Sequence, residues 1–232
     1  MTPSSRRRHS TGDARLDELI ADLLDEVDPA ADRDVLTEIF VAATRLSADG
    51  ADRLDLKIAS SALAEMRRAF AAFVPYREIP KATIFGSART ERDDPLYEQA
   101  RRLAAGLADR RWMVVTGAGP GIMAAGAEGA GTARSLGVNI RLPFEQEANE
   151  FIDQQRLVNM KYFFTRKLAL VKESQGFVSL PGGFGTLDET FELLTLQLTR
   201  KSVATQIVFL DVPGGSYWEG WHRFVTEEVT AR

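Results

Sequence analysis

The sequence predicts a doubly wound α/β fold, a parallel sheet with helices on both faces, carrying an N-terminal helical appendage. Three observations lead there. After Pro75, short apolar runs alternate with longer segments of helical periodicity, the pattern of strands joined by crossover helices. Three glycine-containing turns follow apolar runs in that region: GSART (Gly86 to Thr90), TGAGPG (Thr116 to Gly121) and LPGGFGT (Leu180 to Thr186). From about Asp13 to Phe73 the chain instead places apolar residues at helical spacing, among them Leu16, Leu19, Ile20, Leu23 and Leu24.

The expected organisation is a disordered tail over 1–12, a helical appendage over 13–75 and the α/β domain over 76–232. The tail contains Arg6, Arg7, Arg8 and His9, but no apolar stretch follows as a secretory signal would require, and acids begin at Asp13. Within the α/β domain the expected elements, in order, are a strand at 82–86, a helix at 95–110 with Pro95 in its first turn, and a strand at 112–117. A glycine-rich helix over 121–137 and a strand over 138–142 come next, then a polar stretch over 143–155. A short strand at 156–159, a helix at 160–174, a strand at 176–181, a helix at 186–201, a strand at 205–212 and a helix at 216–229 complete it.

Composition narrows the function. With 232 residues, 44% of them hydrophobic, the chain can bury a full core. Apolar runs such as FAAFV fall far short of the ~20 residues needed to cross a bilayer, so no membrane partner is expected. A net charge of −4 argues against a nucleic-acid partner, because phosphate backbones need concentrated Lys and Arg. The absence of cysteine removes disulfides, thiolate nucleophiles and cysteine metal sites, and accords with a cytoplasmic protein. The two histidines, His9 and His222, lie near opposite ends, which disfavours a histidine triad or zinc site.

In a doubly wound sheet ligands bind beyond the carboxyl ends of the strands, so the three turns are the candidate site. Each offers backbone N–H groups at or near a helix start, where the helix dipole favours an anion. One such turn alone serves plain chain reversal or close packing equally well; three on one sheet edge favour a phosphate-bearing, nucleotide-like ligand. The candidate binding residues are Gly86, Ser87 and Arg89 in the first turn, and Gly117, Gly119 and Gly121 in the second. Pro181, Gly182, Gly183, Gly185 and Thr186 are the candidates in the third. GAGPG is a shortened dinucleotide fingerprint, but the following strand ends in Arg141 and supplies no acid for a ribose diol; NADP remains only through that arginine. No Gly-Lys-Ser/Thr follows any glycine run, so a Walker A loop is absent.

Two readings stand for the charged residues nearby. Thr186-Leu187-Asp188-Glu189 fits a capping box, in which Thr186 caps the helix and Glu189 reaches back. Alternatively Glu189, one turn into the helix, faces the ligand. In NMKYFFTRKLALVKES, periodicity makes Phe163, Phe164, Leu168 and Val171 the buried face and puts Arg166 and Lys167 on a polar outer one.

NMKYFFTRKLALV followed by PGGFGTLDE resembles the paired signature of the LOG (Lonely Guy) family, long mislabelled lysine decarboxylase: an Arg-Lys helix and a Pro-Gly-Gly-x-Gly-Thr-x-x-Glu loop. GSART and GAGPGIM match its other loops, and the resemblance covers roughly Lys81 to Leu210. It implies a Rossmann-like homodimer that hydrolyses nucleoside 5′-monophosphates to free base and ribose 5-phosphate. It implies Arg166 and Glu189 as the catalytic pair and Gly183, Gly185 and Thr186 as a phosphate cradle. Met160 and Lys167, on the signature segment, join the expected substrate-binding set. Neither metal nor redox cofactor is expected, and protonation of the leaving base falls to Asp188 or a water. Phe163, Phe164 and Thr165 replace the Met-His-x of plant members, Ala118 replaces one glycine of the second loop, and a C-terminal element of many relatives is expected to be absent. A non-catalytic nucleotide or cofactor carrier of the same superfamily is the alternative, and Arg166 with Glu189 is what separates the two.

Overall fold

A computed structural model describes residues 9–27, 32–141, 148–201 and 205–230. Most of the expected disordered tail and part of the expected polar stretch 143–155 lie outside the described residues. By contacts the chain divides into two units, 1–61 and 62–232.

In the first unit, helices α1 (Ala14–Val27) and α2 (Arg33–Ala48) pack through Ile20, Leu24 and Val41. Ahead of α1, within the expected tail, the Ser10 hydroxyl and the Thr11 N–H and hydroxyl donate to the Asp17 carboxylate. Helix α3 (Arg53–Phe73) contains the boundary between units. Its second half, expected to belong to the appendage, joins the sheet unit because Ala69 and Phe73 are buried in that unit's core.

The second unit is a six-stranded, all-parallel sheet: β1 (Lys81–Phe85), β2 (Met113–Thr116), β3 (Ser135–Ile140), β4 (Leu157–Met160), β5 (Gly176–Ser179) and β6 (Gln206–Phe209), in spatial order 4-3-2-1-5-6. Strand residues alternate between two apolar layers. Phe85, Met113, Val115 and Phe177 face α3, α6 (Phe163–Glu173) and α7 (Phe184–Leu198), whereas Ile84, Val114 and Val178 face α4 (Pro95–Asp109) and α5 (Ile122–Ala130). Helix α8 (Tyr217–Phe224) follows β6, and one π-helical turn, Val225–Val229, follows it. This is the doubly wound α/β fold. The chain runs outward from β1 to β4 and then returns to β5 beside β1, so the switch point lies between β1 and β5, where the first and third glycine turns emerge.

The glycine-rich helix is shorter than expected. It stops at Gly131, and Ser135, Leu136 and Gly137 enter β3 opposite Val114–Thr116, which buries Leu136. Among the described residues, no helix is long and apolar enough to cross a membrane.

Candidate functional site

The three glycine turns interlock at Ser87. Its N–H donates to Pro181 O (3.3 Å), its carbonyl accepts from Ile122 N (3.0 Å), and its hydroxyl accepts from Arg89 N (3.0 Å). The turns are not equivalent. The first does not open a helix: α4 starts only at Pro95, and Asp94 caps it by accepting from Leu96 N (2.8 Å). In the second, Gly121 (φ +65) lies so close to the Ser87 carbonyl that a Cβ would collide with it, and that carbonyl occupies the first N–H of α5. Asn149 holds the same turn through its N–H to Ala118 O and its amide to Gly119 O.

The third turn is held from behind. Tyr217 donates its hydroxyl to Gly182 O (2.6 Å), and Pro181 O receives Ser87 N. Helix α7 then starts at Phe184 with Gly183 in the N-cap position and no side-chain cap. The N–H groups of Phe184, Gly185 and Thr186, in the first turn, have no acceptor among the described residues. The start lies earlier than a Thr186 capping box requires. Thr186 is already helical and buried, its carbonyl accepting from Thr190 Oγ1 (2.7 Å), and Glu189 does not reach back along the chain. The capping-box reading is therefore overturned.

Glu189 turns instead to α6, where Arg166 Nη1 donates to its Oε1 at 2.7 Å. Arg166 Nε donates to Val138 O on β3 (2.9 Å), and Gly117 leaves the room in which the guanidinium lies, since a Cβ there would strike Nη2. The pair is largely buried, with 9% and 12% of the two side chains exposed. Burial pushes the Glu189 carboxyl above its ordinary pKa, against the pull of Arg166. The periodicity of α6 has the predicted period but the opposite phase. Thr165, Arg166, Ala169, Leu170 and Glu173 form the buried face, while Phe163, Phe164 and Leu168 are exposed. A guanidinium satisfied by a carboxylate and a strand carbonyl is accepted inside, which a hydrophobicity pattern does not register.

Helix α6 also lacks a cap of its own, since Tyr162 offers no side-chain acceptor. Glu65, on α3 and only 3% exposed, supplies one. Its carboxylate accepts from Lys161 N (2.8 Å), Tyr162 N (3.3 Å) and the Thr165 hydroxyl (2.6 Å).

A cavity of about 520 Å³ opens at the switch point, within the ~300–1,000 Å³ usual for small-molecule sites. Of the expected residues, Gly86, Ser87, Arg89, Arg166, Gly183, Gly185, Thr186 and Glu189 line it. The others do not. Gly117, Gly119 and Gly121 make room for Arg166, Met123 and the Ser87 carbonyl, and Gly182 packs on Thr186. Pro181 acts through its carbonyl; Met160 is wholly buried in the core. Lys167 binds Asp188 (2.8 Å) and Glu192 (2.9 Å), tying α6 to α7, and Asp188 does not line the cavity. Arg141, the residue that kept NADP in play, is exposed and does not line the cavity. Phe184 and Met123 line it and were missed. Phe184, 94% exposed between two glycines, carried a signal: a bare aromatic inside a ligand loop. Met123 carried none.

Fold and site together define a Rossmann-like α/β protein with an uncapped helix start and a carboxylate–guanidinium pair in one cavity. A family model described as "Possible lysine decarboxylase" matches residues 121–232, which supports the resemblance to the LOG family. A cytokinin riboside 5'-monophosphate phosphoribohydrolase of Mycobacterium tuberculosis is 33% identical over 104 residues, 43% of this chain and 54% of that protein. An uncharacterized protein of Archaeoglobus fulgidus is 31% identical over 100 residues, 43% of this chain and 64% of that one. The matches thus span between about half and two thirds of these relatives' lengths. Among solved structures, the molybdenum cofactor binding protein of Rippkaea orientalis is similar with a TM-score of 0.48 and 21% identity, over 64% of this chain and 84% of that one. The molybdenum cofactor carrier protein of Chlamydomonas reinhardtii is similar with a TM-score of 0.46 and 20% identity, over 66% and 87%.

Proposed function

We propose that the protein hydrolyses the N-glycosidic bond of nucleoside 5′-monophosphates, AMP or cytokinin-type nucleotides, releasing free base and ribose 5-phosphate. The observation that carries this reading is the placement of Glu189, paired with Arg166, in the same cavity as the uncapped start of its own helix. The name of the Mycobacterium tuberculosis relative supports the same chemistry.

The phosphate binds the N–H groups of Phe184, Gly185 and Thr186, which favour an anion through their unpaired donors and the helix dipole. The ribose then lies toward Glu189, further along that helix. As the bond from C1′ to the base nitrogen breaks, its electrons leave with the base and C1′ gains cationic character, which ionised Glu189 stabilises. Water adds to C1′, giving its proton to Glu189, and the base takes a proton from solvent. A carboxyl whose pKa is raised by burial is better matched to such a transfer than an ordinary one. Arg166, held by Val138 O, orients the carboxylate. The exposed ring of Phe184 offers the base a stacking surface.

The protein works as a homodimer in this reading. Phe163, Phe164 and Leu168 leave an apolar strip of α6 uncovered, and covering it favours association. Incubating purified protein with AMP and with adenosine tests the proposal. Free adenine is expected from AMP and little from adenosine, because the binding is spent on the phosphate. Equal rates on the two would overturn the phosphate assignment. Tight binding of AMP without release of base would favour a carrier. Light scattering at micromolar concentration is expected to give twice the chain mass.

A further inference from the structure

We infer that Glu65 is a positioning residue for the candidate site, setting Arg166 against Glu189 by capping, from another helix, the start of the helix that carries Arg166. The inference rests on the reading of Arg166 and Glu189 proposed above. Glu65 lies outside the segment matched by the family model.

A carboxylate that is 97% buried is costly unless every lone pair finds work, and Glu65 finds three donors. All three come from the five residues Lys161–Thr165, the link between β4 and the first turn of α6. The negative charge there also meets the positive end of the α6 dipole. Arg166 is the next residue. Its Nε must meet Val138 O and its Nη1 must meet Glu189, two contacts of 2.9 and 2.7 Å made by one rigid guanidinium. Both depend on where the first turn of α6 starts and how it is rotated. Arg166 is clamped at the head by β3 and α7, and its backbone is clamped by Glu65. Release of the backbone clamp shifts the head.

Glutamine cannot replace Glu65. It keeps one acceptor oxygen but turns an NH₂ toward groups that are themselves donors, so at least one of the three bonds becomes a donor facing a donor. The clearest readout is the ionisation of Glu189, because it needs no substrate. The charged groups acting on Glu189 are Arg166 and Lys167 from α6, which favour its ionised form, and Asp188 beside it, which opposes it. If Arg166 moves away, the Glu189 carboxyl should titrate higher. If Glu65 matters only as a distant negative charge, removing that charge should make Glu189 titrate lower.

The experiment uses the full chain, ¹³C-labelled at glutamate carboxyls, with the Glu189 resonance assigned by its loss in Glu189→Gln. In Glu65→Gln we expect the Glu189 midpoint to rise by about 1 pH unit, part of the 1–3 units that an adjacent cation confers. AMP turnover should fall about 10²-fold, the cost of a misplaced catalytic group, with a much smaller change in KM. Thr165→Val removes one of the three bonds and should shift the midpoint in the same direction by less. A folded Glu65→Gln protein with an unchanged or lowered midpoint overturns the inference. Should that variant not fold, an unchanged midpoint in Thr165→Val overturns it. Lack of AMP turnover in the unaltered protein would sink the enzymatic reading alone, since the titration still judges Glu65.

Discussion

Two helices start at the carboxyl edge of this sheet after glycine turns, and they start differently. At α5 the leading N–H is taken by the Ser87 carbonyl, which Gly121 lets approach, and only the N–H groups of Met123 and Ala124 behind it have no protein acceptor among the described residues. At α7 the N–H groups of Phe184, Gly185 and Thr186 have no protein acceptor among the described residues, and nothing lies within 4 Å of where a Cβ on Gly183 or Gly185 would sit. The two turns look alike as sequence. One uses a glycine to bring a protein carbonyl onto its leading N–H, whereas the other leaves its first turn without a protein acceptor from the leading N–H onward. A glycine-rich turn therefore offers its leading backbone donor to a ligand only where the protein does not supply the acceptor itself.

The largest expected effect concerns the carboxylate beside the open start. Glu189→Gln keeps an oxygen that can accept from Arg166 but removes the charge, so the protein should still fold and bind a nucleoside monophosphate. AMP turnover should drop by about 10²–10³, the usual loss for a preorganised group of this kind. Steady-state kinetics with free-base detection measures it; near-normal turnover in the folded variant would leave the open helix start as a binding site without chemistry.

The glycines themselves sharpen the comparison. Gly121→Ala forces a side chain into a left-handed conformation and against the Ser87 carbonyl, and is expected to cost about 1–3 kcal/mol of stability. Gly185→Ala meets no protein atom, so its melting curve should match that of the unaltered protein while its KM for AMP rises. Thermal melts read beside KM separate the two roles; equal destabilisation by both would erase the distinction drawn here.

A smaller effect is expected from pH. Because burial raises the Glu189 pKa and the proposed mechanism uses its ionised form, activity should fall as pH drops through a value above the ordinary 4.5. Stability runs the other way. A carboxyl whose folded pKa is raised favours the folded state most below its unfolded pKa, and that contribution is lost as pH rises through the folded pKa. A pH–rate profile of kcat/KM with its acid limb at or below 4.5 would count against Glu189 as the ionising group.

By itself the sequence determined the alternation of strands and helices, the parallel class of the sheet and the three turns worth inspecting. These follow from local periodicity and from backbone freedom, both of which neighbouring residues express. It also carried the pairing of Arg166 with Glu189, but only through family resemblance, since periodicity placed Arg166 outside. Tertiary structure decided the rest. It set the phase of α6, because a buried cation is tolerated only where Glu189 and Val138 O meet it. It moved the start of α7 from Thr186 to Phe184, which converted a plausible helix cap into a partner for Arg166. It sorted the glycines, since only the position of the Ser87 carbonyl tells which helix start has its leading N–H filled. And it drew in Glu65, 96 residues before Lys161 along the chain. No local pattern could reveal that contact, because a buried acid on a helix and a helix start without a cap are each incomplete until the fold brings them together.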